Sequence, residues 1–121
     1  MHTAAAILTS LVFLLHVYIV LLETVLFRTR GAEVFSIPKD RIEDMAPVMS
    51  NQGCYNMFLV AALGIGLFHP NPVIADAFTL FGLGCVIVAG IWGAVTVMRR
   101  ILFVQALPAA LALAAYLLAR A

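Results

Sequence analysis

The stretch LTSLVFLLHVYIVLLETVLF, residues 8–27, decides the fold class of this chain. It is most of an apolar segment that runs from about Ala4 to Phe27, which as a helix is long enough to cross about 30 Å of hydrocarbon. Two ionisable residues, His16 and Glu23, interrupt the segment. Hydrocarbon offers no hydrogen-bond partners, so such residues are retained either for helix association or for a binding site.

The composition of the chain is that of an integral membrane protein. Of its 121 residues, 64% are hydrophobic and 11% are charged, whereas soluble domains carry about 25% charged residues. The net charge is +1 and no basic stretch is present, which excludes nucleic acid as a partner. The N-terminus lacks a basic region and its apolar run is too long for a cleavable signal peptide.

The sequence predicts an all-α, integral membrane bundle of four transmembrane helices that forms one domain, residues 1–121. A proline in the first turn of a helix costs little, which suits Pro47, whereas Pro108 is expected to kink its helix or to be accommodated by a neighbour. The predicted helices cover about 4–27, 45–68, 73–98 and 101–119, and the polar loop covers 28–44.

The basic residues predict the orientation of these helices. Six of the seven Lys and Arg residues lie in the 28–44 loop or at Arg99 and Arg100, and only Arg120 lies on the other side. The positive-inside rule therefore places both of these connections in the cytoplasm and both termini outside.

The second predicted helix contains a polar stretch, residues 51–56, with the sequence NQGCYN. With a rise of about 1.5 Å per residue, polar side chains from all four helices fall in one layer near the cytoplasmic side. We therefore predict a polar pocket that opens toward the cytoplasm, below Arg99 and Arg100, with His16 at its floor. The predicted ligand-binding residues are Glu23, Asn51, Gln52, Tyr55, Asn56, Gln105, Arg99 and Arg100.

Such a pocket suits a small amphipathic or lipid-like ligand. If it catalyses a reaction, Glu23 or His16 would be the acid–base group and Tyr55 would donate to a developing anion. The structural alternatives are an ion pair of Glu23 with a nearby arginine (Arg28, Arg99 or Arg100) and a hydrogen bond of His16 to Glu23, to a backbone carbonyl or to an amide. No metal site is expected, because His16 has no second His or Cys at a usable spacing.

Two other functions stay open on the sequence. A transporter or channel subunit would use His16 and Glu23 as a proton relay, although the outer halves of the other helices carry almost no polar groups. A structural or accessory protein would use the polar cluster only to hold helices together. Small residues four apart, such as Ala62 and Gly66, favour helix association within the chain or between copies, so a homo-oligomer is open as well.

Four groups of residues carry a resemblance to a known family. They are His16-x-Tyr18-Ile19 with Glu23, the stretch Asn51-Gln52-Gly53-x-Tyr55-Asn56-x-Phe58-Leu59, the stretch 85–91, and Ile101-Leu102-x-Val104-Gln105 with Pro108-Ala109. Over nearly its whole length the chain closely resembles the DUF1304 family, which are small four-helix bacterial membrane proteins of unknown function. This resemblance implies a location in the bacterial cytoplasmic (inner) membrane.

The layout is also similar to that of the MAPEG proteins, the membrane glutathione transferase and eicosanoid group. These have four helices, outward termini, a long cytoplasmic first loop and polar residues in the second helix, and as trimers they bind glutathione between subunits. That similarity implies transferase or isomerase chemistry with glutathione as the cofactor. Asn51 and Gln52 stand where the second helix of those proteins has arginines, so only Arg99 and Arg100 supply cationic groups.

Overall fold

The computed structural model describes residues 2–120, and its secondary structure over those residues is entirely helical. The all-α prediction is therefore confirmed. The helices are α1 (Thr3–Glu23), α2 (Ala32–Val34), α3 (Ile42–Phe68), α4 (Pro72–Thr96) and α5 (Leu107–Arg120), with π-helical turns at Phe27–Gly31 and Leu102–Ala106 and a 3-10 turn at Lys39–Arg41.

Three helical segments are long and apolar enough to cross a membrane. They are Thr3–Glu23, Pro72–Thr96 and Leu102–Arg120, the last of which includes a π-helical turn. α3 is longer than any of them, at 27 residues, but is not among them. Its first half carries acidic and amide side chains that lower its mean hydropathy. The apolar helices thus identify a membrane protein.

The four long helices pack in a ring. α1 lies against α3 and α5, and α4 lies against the same two helices. Buried aliphatic side chains from all four helices form the core between them. Removal of these side chains from polar surroundings stabilises the packing of the four helices. These core residues are Val12, Leu63, Leu83, Val86, Ala109 and Ala112.

The segment before α3 is more regular than the sequence predicts. α3 begins at Ile42, three residues before the predicted start, so Pro47 is inside the helix and its prediction in the first turn is wrong. The π-helical turn Phe27–Gly31 folds back on the end of α1, and a Cβ on Gly31 would collide with the backbone carbonyl of Leu22. This close approach requires glycine at position 31.

A π-helical turn also accommodates Pro108. The backbone N–H of Leu107 donates to the carbonyl of Leu102, five residues earlier, which is the π-helical spacing. Pro108 follows as the second residue of α5. A proline there removes a backbone donor, and a widened turn just before it is a known way for a helix to absorb that loss. Pro108 is therefore accommodated within its own helix.

The two basic connections meet at one end of the molecule, which we call the basic end. The Arg100 guanidinium donates to the carbonyl of Val34 at 3.1 Å. Arg28 donates to both carboxylate oxygens of Glu43, at 2.9 and 3.2 Å, and so joins the π-helical turn after α1 to the start of α3. The opposite end, which we call the distal end, carries Arg120.

The Arg28–Glu43 ion pair predicts a small pH dependence of stability. The hydrogen bonds and the charge of Arg28 lower the pKa of Glu43, so the pair stabilises the folded state above the unfolded-state pKa of about 4.3. That contribution is lost as the pH falls through the lower, folded-state pKa. Glu43→Gln should therefore lower the melting temperature slightly at neutral pH and leave it unchanged in strong acid.

The matched control for this substitution is Asp44→Asn. Asp44 is the exposed neighbour of Glu43 and takes part in none of the ion pairs described for residues 2–120. Melting temperatures of the three proteins in detergent, measured as the pH is lowered, would contradict the assignment if both substitutions had the same effect at every pH. The effect is expected to be small because both partners are exposed.

Candidate functional site

A buried carboxyl group lies at the basic end of the helix ring. The last residue of α1, Glu23, is only 7% exposed. The side-chain amide of Asn56 on α3 donates to its Oε1 at 2.7 Å. Gly53, one turn earlier on α3, permits this approach, because a Cβ there would lie 2.5 Å from the side chain of Thr24. The structure therefore joins two of the predicted ligand-binding residues directly.

The other predicted residues of α3 lie on a different face. Asn51, Gln52 and Tyr55 are exposed, and the Tyr55 ring meets Phe58 edge to face at 6.0 Å. Only Asn56 reaches inward. The polar stretch thus presents one side chain to the core and three to the outside of the single chain.

One face of α3 passes from buried to exposed along its length. Near the distal end, Ala62 packs on α4, 3.5 Å from where a Cβ on Gly82 would lie. Tyr55 is seven residues before Ala62 and so shares its face, yet it is 60% exposed. On α4, Ala89 is seven residues after Gly82 and is exposed as well. The face that is buried at Ala62 and Gly82 is thus exposed at Tyr55 and Ala89, toward the basic end.

We call this exposed face the α3–α4 cleft and define it by Gln52, Tyr55 and Ala89, all of which are exposed. Gln52 precedes Tyr55 by three residues and extends the same face toward the basic end. Tyr55 is followed directly by Asn56, which binds Glu23. The cleft thus offers an amide and a phenol beside a hydrogen-bonded carboxyl group.

The remaining predicted residues are not gathered around this cleft. Gln105 is half-buried in the turn before α5 and Arg99 is exposed. Arg100 is also exposed and binds the backbone of Val34. None of the ion pairs described for residues 2–120 includes Glu23. Arg28, one of its suggested partners, binds Glu43 instead, so that suggestion is wrong.

His16 lies two turns before Glu23 on the buried face of α1 and is fully buried. Its Nδ1 lies 2.9 Å from the carbonyl oxygen of Val12. A carbonyl only accepts, so Nδ1 carries the proton. Of the three partners suggested for His16, the backbone carbonyl is therefore the one observed.

Comparison with known proteins places the chain in a family. A family model described as a protein of unknown function, DUF1304, matches residues 10–117. The chain belongs to the DUF1304 family. No curated protein and no solved structure gives a significant match. The match covers Glu23, Asn56 and the whole α3–α4 cleft of this DUF1304 protein, while Thr9 and Arg120 lie outside it.

This DUF1304 protein has a second polar cluster, at its distal end, which the sequence analysis missed. The Tyr116 hydroxyl donates to Asp76, and the Arg120 guanidinium lies 3.4 Å from the same carboxylate and 5.8 Å from the Tyr116 ring. The three residues border a cavity of about 500 Å³. Its lining also includes His2, Gly66, His69 and Pro72.

The sequence does contain a signal for this distal cluster. Asp76 stands near the start of α4, and Tyr116 and Arg120 stand four apart near the end of α5. Antiparallel neighbours bring the start of one helix beside the end of the next. Asp76, Thr79 and Tyr116 lie in the outer halves of α4 and α5. The prediction that these halves carry almost no polar groups is therefore wrong.

Proposed function

We propose that the protein crosses the bacterial inner membrane four times, with the basic end in the cytoplasm and both termini outside. Three helical segments can cross by length and composition. α3 supports a fourth crossing, since it packs on both α1 and α4 and its second half, from Met57 to Phe68, is apolar. The contact between Arg100 and Val34 supports the sidedness, because it gathers the basic residues at one end.

Within this topology, the proposed function is to bind a small amphipathic or lipid-like molecule in the α3–α4 cleft. The observation that carries it is the exposure of Gln52 and Tyr55, which make no side-chain hydrogen bond within residues 2–120, next to the Glu23–Asn56 hydrogen bond. Amides and phenols suit a polar head group, and the apolar walls of α3 and α4 below them suit a tail. A ligand there would satisfy polar groups that hydrocarbon cannot.

The cleft also fits a reaction of the transferase or isomerase kind suggested by the MAPEG-like layout. In that case Glu23 is the acid–base group, because Asn56 already holds its carboxyl in place. Tyr55 is free to donate to a developing anion. His16 is about 10 Å deeper along α1 and fully buried, which supports a different role for it.

The test is binding of added probes to the purified protein. A lysophospholipid and glutathione would be added separately in detergent and the complexes measured by native mass spectrometry. We expect the wild type to form a complex with at least one of these probes. The double variant Gln52→Leu with Tyr55→Leu should lose most of that complex, since both polar contacts are gone. The matched control is Ser50→Leu, which adds the same side chain to an exposed residue two positions away, on the far side of α3.

Two results would count against the proposal. One is that the double variant, still folded, keeps the wild-type level of every complex. The other is that Ser50→Leu loses binding to the same extent, which would show a general effect of added apolar surface. If neither probe binds but the wild type forms a stable oligomer that the double variant does not, the cleft is instead an interface between copies.

A further inference from the structure

A second set of polar side chains follows the buried face of α1, and only one of them, Glu23, is shared with the cleft. Thr9, His16 and Glu23 recur every seven residues on the buried face of α1, and the first two are fully buried. Seven residues make about two helical turns, so these side chains stack about 10 Å apart on one line. A polar line therefore follows the inner face of an otherwise apolar helix.

The middle member of this line has an unused acceptor. His16 Nδ1 donates its proton to Val12, which leaves Nε2 with a lone pair in the neutral ring. Nε2 is fully buried and no atom of residues 2–120 makes a hydrogen bond to it. A buried basic nitrogen without a partner is energetically unfavourable at membrane depth. Residues of this kind therefore mark functional sites.

A further unpartnered hydroxyl lies on α4, next to the distal cavity. The Thr79 hydroxyl is also buried and without a partner among residues 2–120. It touches Gly66, where a Cβ would collide with it. Gly66 in turn lines the cavity that holds Asp76 and Tyr116. The distal cavity thus lies beside an unpartnered hydroxyl, and the polar line ends in a carboxyl group, Glu23, at the basic end.

Between the two ends of the helix ring, His16 is the titratable residue that is fully buried. Val12, one turn away, belongs to the apolar core. On α3 the titratable residues are exposed, and those of α4 and α5, apart from the half-buried Cys85, border the distal cavity. The residues concerned are Glu43, Asp44, Cys54 and Tyr55 on α3, Asp76 and Cys85 on α4, and Tyr116 and Arg120 on α5.

We propose that His16 relays protons between the distal cavity at Asp76 and the basic end at Glu23. A proton that enters at Asp76 passes through transient water to Nε2 and makes the ring an imidazolium. The same proton then leaves Nε2 through water toward Glu23, and the neutral ring is restored. Water is required because the stacking leaves gaps of about 10 Å, which no side chain on the line spans.

Both steps of this relay use the same ring nitrogen of His16. The Nδ1 proton is held by the Val12 carbonyl, which cannot take it up, so acceptance and release both use Nε2. The ring must therefore exchange with one side at a time, and it limits the rate of the pathway. The relay shares Glu23 with the reaction proposed for the α3–α4 cleft, but it requires no ligand there.

The experiment uses the whole protein in lipid vesicles that contain a pH-sensitive dye. A potassium gradient with valinomycin drives protons inward, and the rate of internal acidification is measured. We expect the wild type to acidify the vesicles several-fold faster than protein-free vesicles, and His16→Gln to fall to the protein-free rate. Glutamine keeps a donor for Val12 but has no basic nitrogen.

Several variants separate the relay from other effects. Asp76→Asn and Glu23→Gln should also lose the flux, while Tyr18→Phe, an exposed change two residues from His16, should keep it. The proposal is overturned if the wild type is no faster than protein-free vesicles, or if folded His16→Gln keeps the wild-type rate. If His16→Gln does not fold, retention of full flux by both Asp76→Asn and Glu23→Gln overturns it instead.

Discussion

Asn56→Leu should lower the free energy of unfolding by about 2–3 kcal/mol, because it leaves a buried carboxyl group without its hydrogen-bond donor. Glu23 is 7% exposed and its described side-chain partner is the Asn56 amide, at 2.7 Å. The measurement is unfolding of the purified protein in detergent.

A double-mutant cycle isolates the hydrogen bond from the rest of the site. Removal of both polar partners is far less costly than removal of one, because no buried group is then left unpaired. We therefore expect Glu23→Leu with Asn56→Leu to be more stable than Asn56→Leu alone. If the two single effects simply add, the carboxyl group has another source of stabilisation and the bond is a minor one.

The position of this pair shows what the sequence determines and what it leaves open. Counting residues from Arg28 and from the start of the second helix placed Glu23 and the amides at similar depth, since helical rise is nearly constant. It did not choose among Asn51, Gln52 and Asn56. That choice depends on how α3 is rotated about its axis, and the close contact of Gly53 with α1 sets the rotation.

The distal cluster and the unpartnered threonine hydroxyls were not predicted, because both depend on how the helices pack on one another. Asp76 and Tyr116 are 40 residues apart, and only the antiparallel packing of α4 on α5 indicates that they meet. Thr9 has the same seven-residue spacing from His16 as Glu23 has, but a lone threonine in an apolar helix is normally satisfied by its own backbone. Only the three-dimensional structure shows that the hydroxyls of Thr9 and Thr79 lack partners among residues 2–120.

The contact between α4 and α5 depends on a glycine whose replacement should have a large effect. A Cβ on Gly90 would lie 2.6 Å from the backbone nitrogen of Ala106 and 2.8 Å from its Cβ. Neither atom belongs to a flexible side chain, so the strain can be relieved only if one helix moves. Gly90→Ala should therefore cost about 1–3 kcal/mol of unfolding free energy.

Gly84→Ala on the same helix is the matched control. Nothing lies within 4 Å of the position its Cβ would take, so only the better helix propensity of alanine remains, worth up to about 1 kcal/mol in its favour. The two substitutions are chemically identical and six residues apart, so any membrane or detergent effect common to both cancels. Equal melting temperatures for the two variants would mean that α4 and α5 separate at little cost near Ala106. Since the π-helical turn Leu102–Ala106 precedes Pro108 there, that result would make this junction an adaptable part of the ring.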